Sequence, residues 1–544
     1  NMVEAPNYIV GHSPVNRSLQ ETRVTNKSLT TQVIADFDRT FGGHHINSVL
    51  GFEEYSNKVE ALLVRGTEFI SNEYPFLNRA PVDKVFDNGT NIYETAYRSV
   101  FGRASYDYNN KYYLQATVRR DGSSRFDKSF RWGTFPSLAL GYVISEENFM
   151  KDIQGLDFLK FRASYGSLGN DRIRNYLYLS TLQFANTLVA NGDEVESVRT
   201  AAQEFLEIAD ITWETTTSLN IGVDLTTLNN RLTLTTEYFD KQTSDMLLFQ
   251  NVPSLLGYPD PLVNIGEMNT KGWEVSLGWR DNVGDFNYSF SGNIFDSKSI
   301  IGFVDNKRLF GVNTISEEGS EFQSWFGYES DGIYQTQAEV DNSAVTTEVV
   351  SPGDIKYKDI SGPDGVPDGQ VNELDRVILG GSLPRYQYGG NVNLGYKGFD
   401  FGLVFQGVAQ QRFYLNPDTY ATAFDNNWYA PPQLIDGNYW SVYNTAAENA
   451  RVEYPRIGNN NRANNNAFSD FWLRDGSYMR IKNLTLGYTL PQEAIEKAGL
   501  SRIRVYLSGN DLFSFDSLPE GVDPEQGGSY LITKSYLLGA TISL

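Results

Sequence analysis

Carboxylates supply most of the reactive groups in this sequence. The run Asp359-Ile360-Ser361-Gly362-Pro363-Asp364-Gly365-Val366-Pro367-Asp368-Gly369-Gln370-Val371-Asn372-Glu373-Leu374-Asp375 sets Asp359, Asp364, Asp368 and Asp375 at short intervals with Gly between them. Hard oxygen ligands on a chain that turns sharply suit Ca²⁺. The spacing is not that of an EF-hand, and the same residues also suit a polar turn cluster closed by Asx hydrogen bonds. The acid pairs Glu53-Glu54 and Glu317-Glu318 are adjacent, so on strands their side chains point to opposite faces and cannot converge on one substrate atom. His44-His45 follows Gly42-Gly43 in a turn-like stretch, and no other His lies near enough in sequence to complete a ligand set. No Gly-rich phosphate loop and no nucleophile elbow occurs. A second group is aromatic: Trp428, Tyr429, Tyr439 and Trp440 stand among Asn and Asp residues. Such side chains can stack on sugar rings or hold a peptide backbone, and they serve equally well to pack against a partner or one another. Catalysis therefore has little support, and binding has more.

Composition narrows the setting. The 67 acidic against 45 basic residues leave a formal charge of −22, the wrong sign for counterion release from phosphates, so no nucleic-acid partner is expected. With 0 Cys there is no disulfide framework, thiolate nucleophile or Cys-based zinc or iron–sulfur site. The 48 Gly, 33 Tyr and 33 Phe point to β structure. No stretch of about 18 apolar residues is present, so no transmembrane helix is expected. The first residues, Asn1-Met2-Val3-Glu4-Ala5-Pro6, show no charged region before an apolar core, so no secretory leader is expected within them. Neither point bears on strands of an outer-membrane barrel, whose alternation keeps mean hydropathy low.

Alternation is what the chain shows most often. Tyr112, Leu114, Ala116 and Val118 share one face, and Tyr113, Gln115, Thr117 and Arg119 share the other. Segments 219–225, 273–279 and 286–294 repeat the pattern, as do stretches near 31–39, 45–53, 100–108, 132–143, 158–166, 231–239, 386–396, 399–406, 478–488, 502–510 and 535–544. Together they predict about fifteen strands, each near the nine to eleven residues that cross a bilayer at a tilt. Tight turns rich in Asn, Asp and Gly, such as Tyr108-Asn109-Asn110-Lys111 and Leu228-Asn229-Asn230-Arg231, alternate with long connections near 54–99, 167–215, 241–271, 297–385 and 409–476.

Two architectures could carry such strands. A soluble sandwich or propeller would have short loops at both ends and modest apolar residues on one face. A transmembrane barrel puts short turns on one side, long loops on the other, and aromatic girdles at both interfaces. Tyr106 and Tyr108, Trp273 and Trp279, and Tyr396 with Phe399 cluster near strand ends, which favours the barrel. The predicted fold class is all-β: a transmembrane antiparallel β-barrel with long extracellular loops. Within Asn483-Leu484-Thr485-Leu486-Gly487-Tyr488, Leu484, Leu486 and Tyr488 are expected to face lipid, and Thr485 and Gly487 the lumen.

Several blocks, in order along the chain, resemble a known family. They include Val100-Phe101-Gly102-Arg103-Ala104-Ser105-Tyr106, Arg120-Asp121-Gly122-Ser123-Ser124-Arg125-Phe126, Trp132-Gly133-Thr134-Phe135-Pro136-Ser137 and Leu168-Gly169-Asn170. Later come Gly272-Trp273-Glu274, Pro352-Gly353-Asp354-Ile355-Lys356-Tyr357-Lys358-Asp359 and Phe471-Trp472-Leu473-Arg474-Asp475-Gly476-Ser477-Tyr478. From about residue 20 onward the chain resembles the C-terminal part of a SusC-like TonB-dependent outer-membrane transporter. The resemblance implies a 22-stranded barrel of which residues 1–544 form the C-terminal portion, with the plug domain absent from this chain. It also implies import of glycan fragments or oligopeptides, a SusD-like surface lipoprotein as lid, and energy from TonB through an N-terminal part not seen here. Surrounding outer-membrane lipid and a nutrient oligomer complete the expected partners. A SusC-like barrel serving as a structural subunit of a larger assembly, or a passive porin, remains open as an alternative on the sequence.

Overall fold

The computed structural model describes residues 2–3, 18–69, 76–81, 85–191, 194–203, 206–250, 252–305, 307–417, 433–457, 462–496, 499–526 and 532–543. Fifteen long strands run antiparallel as neighbours, in chain order, in one sheet: β1 (Ser18–Phe41), β2 (His44–Thr67), β3 (Val85–Tyr108), β4 (Tyr112–Ser123), β5 (Trp132–Val143), β6 (Leu156–Asn170), β7 (Glu214–Thr227), β8 (Leu232–Phe249), β9 (Leu262–Val283), β10 (Phe286–Ile301), β11 (Tyr386–Tyr396), β12 (Phe399–Ala409), β13 (Tyr478–Thr489), β14 (Arg502–Asp516) and β15 (Ser535–Ser543). A two-residue strand, Met2–Val3, pairs with the start of β1. Each expected strand is present. Among the described residues no helix is long and apolar enough to cross a membrane.

The tight turns form where Asn and Gly accept left-handed backbone. Asn109 and Asn110 have φ of 53° and 55°, and Gly42 and Gly284 each have φ of 60°. Leu228, with φ of 59°, lacks that tolerance; its N–H donates to the Gly155 carbonyl at 2.8 Å, which helps to hold it.

Several strands are longer than alternation predicts. β2 runs to Thr67 and β3 begins at Val85, which takes up much of the expected 54–99 loop. Alternation of apolar and polar residues marks only the part of a strand that meets lipid on one side. Beyond it the regular alternation stops, with Leu62, Leu63 and Val64 in succession, and an ion pair ties the strands: Lys58 lies 3.6 Å from Glu94 on β3 and 3.0 Å from Glu60 on its own strand.

Contacts divide the chain into two compact units. The first comprises Asn1–Leu140, Tyr165–Thr217 and Ser244–Ile265. On one face of its sheet Leu50 stands beside Gly102 and Gly102 beside Val118, with Val100 opposite Phe52. Leu50, Val100 and Val118 are all exposed. On the other face Asn47, Ser105 and Gln115 form a polar row, in which the Ser105 hydroxyl donates to Gln115 at 3.2 Å. A core of Phe126, Phe135, Ile173, Ile208, Ile211 and Trp213 closes this unit. The Arg120–Phe126 block shows its purpose here. The buried Ser123 hydroxyl donates to Asp171 at 2.7 Å, and Arg125 donates to the Asp171 carbonyl at 3.0 Å. Gly169 is required by packing, since a Cβ there would stand 2.0 Å from the Phe135 ring.

The second unit comprises Gly141–Ser164, Ser218–Thr243 and Gly266–Leu544. Its sheet has the same two-sided character. Phe399 pairs with Tyr488, Phe401 with Leu486, and Leu403 with Leu484. The row continues through Leu507 beside Leu486 and Leu538 beside Leu507. Leu486 is 51% exposed and Leu538 75%. A contiguous apolar face left uncovered on this scale needs lipid or a partner against it. Facing the other way, the Thr485 hydroxyl bonds Asn483 at 3.0 Å and Ser508 at 2.8 Å, and Arg504 donates to Asp400 at 2.8 Å. The register agrees with the faces expected for Leu486 and Thr485.

Candidate functional site

In the second unit the two longest connections, 302–385 and 410–477, are built structures. Short strands pair within each of them, Ser324–Gly327 with Val377–Gly381, Ser330–Ile333 with Ile355–Tyr357, and Arg412–Tyr414 with Leu473–Asp475, and a single bridge between Tyr328 and Ser469 links the two connections. Ile355, Tyr357, Leu415, Ile435, Tyr454 and Trp472 pack into a common core. The Pro352–Asp359 block supplies its polar centre. Asp354 is fully buried and accepts from Arg456 Nε at 2.7 Å and Nη2 at 3.0 Å, from Asn465 at 3.0 Å and from the Ser351 N–H at 2.8 Å. A buried carboxylate is tolerated only with a partner charge and its lone pairs filled, and here both conditions hold. Tyr357 donates its hydroxyl to the Asn464 carbonyl at 2.8 Å, and Trp472 donates its indole N–H to the Asn465 carbonyl at 2.8 Å. Burial pushes the Tyr357 phenol well above its usual range. At the surface, the hydrogen bond from Lys356 to Asp331, 2.6 Å long, raises the ammonium's pKa.

The acidic run does not gather its carboxylates around one point. Asp375 is fully buried and accepts from the N–H groups of Ile360 at 2.7 Å, Ser361 at 3.0 Å and Asn372 at 2.8 Å. Asn372 and Asp375 thereby form a capping box on the short helix Glu373–Asp375. Asp359 accepts from the N–H of Gly369 at 2.7 Å, and Asp368 from that of Gln370 at 2.9 Å. Asp364 is exposed. Among the described residues no group of three or more His, Cys, Asp or Glu is placed to hold a metal ion. The four residues thus do not fit the calcium site that their spacing suggested. Backbone N–H groups, invisible to a count of side-chain ligands, take up the oxygens of three of them.

The aromatic group also separates. Trp440 is buried: a Cβ on Gly353 would meet its ring at 2.5 Å, and its backbone N–H donates to the Tyr454 carbonyl at 3.0 Å. It is a packing residue of the loop core and cannot stack on a ligand. Tyr439 is half-buried against the same core. Trp428 and Tyr429 lie outside the described residues. The acid pair Glu53-Glu54 diverges as expected, with Glu53 toward Arg119 at 3.6 Å and Glu54 toward Arg98 at 3.2 Å. His45, expected to be a plain turn residue, instead stands between Asp107 at 2.7 Å and Asp38 at 3.2 Å.

Sequence reading missed one further arrangement. Arg480, almost fully buried on β13, binds Asp523 at 2.9 Å and Glu525 at 3.0 Å, and Gln406 reaches the same Glu525 at 2.9 Å. The segment after β14 is thereby tied to the polar face of the sheet. The only signal was Arg480 and Lys482 on one strand, and a register shift between Ile481 and Asn483 in the pairing with β14 breaks the alternation there.

Comparison with known proteins agrees with this architecture. The family model described as TonB dependent receptor-like, beta-barrel matches residues 5–512. TonB-dependent receptor P3 of Formosa agariphila is 31% identical over 518 residues, covering 93% of this chain and 49% of that protein. TonB-dependent receptor SusC of Bacteroides thetaiotaomicron is 27% identical over 461 residues, covering 82% of this chain and 43% of that protein. The chain spans about half the length of the curated relatives it matches. Among solved structures, the RagAB peptide importer in its open-open state superposes with a TM-score of 0.80 at 22% identity, covering 99% of this chain and 57% of that one. At that identity the likeness speaks for the fold. With strand order, lipid-type face and family model in agreement, the chain belongs to the TonB-dependent receptor β-barrel family, as a SusC-like barrel of the outer membrane.

Proposed function

We propose that this chain is the barrel portion of an active importer for oligomers too large to diffuse through porins, glycan fragments or oligopeptides. In this reading a SusD-like surface lipoprotein closes over the long loops, and TonB supplies energy through the part of the protein outside this chain. One observation carries the reading. The connections 302–385 and 410–477 share a buried core and an internal ion pair, Asp354 with Arg456. Loops of this length are usually functional or disordered, and a packed core argues for function. The names of the relatives agree: SusC is a TonB-dependent receptor, and RagAB is a peptide importer.

Trp428, Tyr429 and the half-buried Tyr439 are the remaining aromatic candidates for contact with cargo or lid, since Trp440 is occupied in the core. The test replaces both Trp428 and Tyr429 with Ala in the full-length protein. Uptake of a labelled oligomer, or co-purification of the lid lipoprotein, should fall while heat-modifiable barrel in the outer membrane stays constant. Undiminished uptake and lipoprotein capture would remove these two residues from the proposal. A cell in which the protein binds partners but imports no oligomer would point to a structural subunit instead.

A further inference from the structure

Where β10 and β11 meet the loop core of the second unit, a cavity of about 670 Å³ is present. That volume lies within the ~300–1,000 Å³ usual for ligand pockets. Lys298, Arg385, Arg412 and Arg474 line it, with only Glu321 and Asp475 as carboxylates. In a chain of formal charge −22 this concentration of cations runs against the composition.

The four cations differ in how far they are engaged. Lys298 pairs with Glu321 at 2.5 Å. Arg474 donates Nη1 to the Phe471 carbonyl at 2.5 Å. Arg385 is held from behind by Asp296, with Nη2 3.0 Å from Oδ2 and Nε 2.8 Å from Oδ1. Its Nη1 is buried and has no hydrogen-bond partner among the described residues. Buried donors without acceptors are rare and costly. The Arg412 side chain is exposed and forms neither a hydrogen bond nor an ion pair with any described residue. Its backbone is fixed by pairing with Asp475, so the guanidinium stands on a short sheet and not on a loose loop.

Charge and geometry together name the ligand class. Among the described residues, four cations against Glu321, Asp475 and the Asp296 behind Arg385 leave one positive charge in excess. That surplus matches one monoanionic group better than a dianionic phosphate, and a planar guanidinium suits a planar carboxylate. Ser297, Ser299, Gln387 and Gln411 add hydroxyl and amide groups around the same space. We propose that this cavity is a subsite for a carboxylate carried by the oligomeric cargo, with Arg412 and Arg385 Nη1 as its donors. The inference rests on the importer reading and adds the charge of the cargo to it. A uronate-containing glycan and an acidic peptide both present that group.

The experiment uses the full-length protein with its partners, purified in detergent, and measures binding by calorimetry. The probes are trigalacturonate against maltotriose, and triglutamate against trialanine. At least one acidic probe should bind about tenfold or more tightly than its neutral counterpart, and which one does so identifies the source. Arg412→Gln should weaken that probe about tenfold, and Arg412→Lys by less, with unchanged heat-modifiability and partner capture. Equal affinity for acidic and neutral probes, no binding of either acidic probe, or an Arg412→Gln variant that binds as the parent does would each overturn the subsite. The two readings fail separately. Arg412-dependent binding without uptake in cells would sink the importer and leave the subsite. Uptake of neutral oligomers without acidic binding would do the reverse.

Discussion

Replacing Leu484, Leu486 or Tyr488 with Arg puts a guanidinium at three depths on the apolar face of β13. Tyr488 packs on Phe399 with ring centroids 4.5 Å apart and marks the interface end of the strand. Leu486 lies two residues further in, about 7 Å along the strand at ~3.3 Å per residue. At a tilt of ~40° this is roughly 5 Å toward the midplane of an apolar band ~25 Å tall. Leu484 is roughly 10 Å in and close to the centre by the same reckoning. The cost of Arg on a lipid face rises from ~0–1 kcal/mol at the interface to ~2–4 kcal/mol at the midplane. We therefore expect about 1–2 kcal/mol for Leu486→Arg, about 2–3 kcal/mol for Leu484→Arg and under ~1 kcal/mol for Tyr488→Arg. Thr485→Arg, on the opposite face, loses the hydroxyl bonds to Asn483 and Ser508 and should cost ~0.5–1.5 kcal/mol. Urea titration of the reconstituted full-length protein, followed by heat-modifiability, reads all four. A flat series along the apolar face, or a Thr485→Arg variant less stable than Leu484→Arg, would refute the register and the lipid assignment together.

Four further outcomes follow from the loop core and the packing. Arg456→Met strands the buried Asp354 carboxylate and should destabilise the loop core by ~3–5 kcal/mol, seen as new protease cleavage between 350 and 460 in a barrel that remains heat-modifiable. The Tyr357 phenol is held neutral by burial while its unfolded counterpart ionises near pH 10. The core should therefore keep its full stability below about pH 10 and lose it as the pH rises toward the raised folded value, and Tyr357→Phe should reduce that alkaline loss in urea unfolding at graded pH, the remainder belonging to Tyr328 and Tyr454, which burial in the same core also raises. Removing calcium with a chelator should leave protease cleavage between 355 and 380 unchanged, because backbone N–H groups already hold Asp359, Asp368 and Asp375; enhanced cleavage would restore a metal site there. Gly169→Ala forces a methyl to within 2.0 Å of the Phe135 ring and should cost ~1–3 kcal/mol in urea unfolding.

What could be read from the sequence was local. A strand with lipid on one side and a wet interior on the other must alternate, so Leu484, Leu486 and Tyr488 could be assigned a face before any coordinates. Left-handed backbone is cheap only for a few residue types, so the turns at Asn109-Asn110 and Gly42 could be placed as well. The same rules stopped at the membrane boundary, where β2 and β3 continue with charged residues on both faces and no lipid to demand a pattern. The site was decided by the tertiary structure. Nothing near Trp440 in sequence says that Gly353 will press on its ring, and nothing near Asp354 announces Arg456 as its partner. Asp375 reads as a metal ligand until the N–H groups of Ile360, Ser361 and Asn372 turn toward it. That the donors of Arg385 Nη1 and Arg412 find no acceptor among the described residues is likewise visible only when separate segments wall one cavity. Side-chain periodicity is a property of neighbours along the chain, whereas burial and hydrogen-bond satisfaction depend on which distant segments the fold brings together.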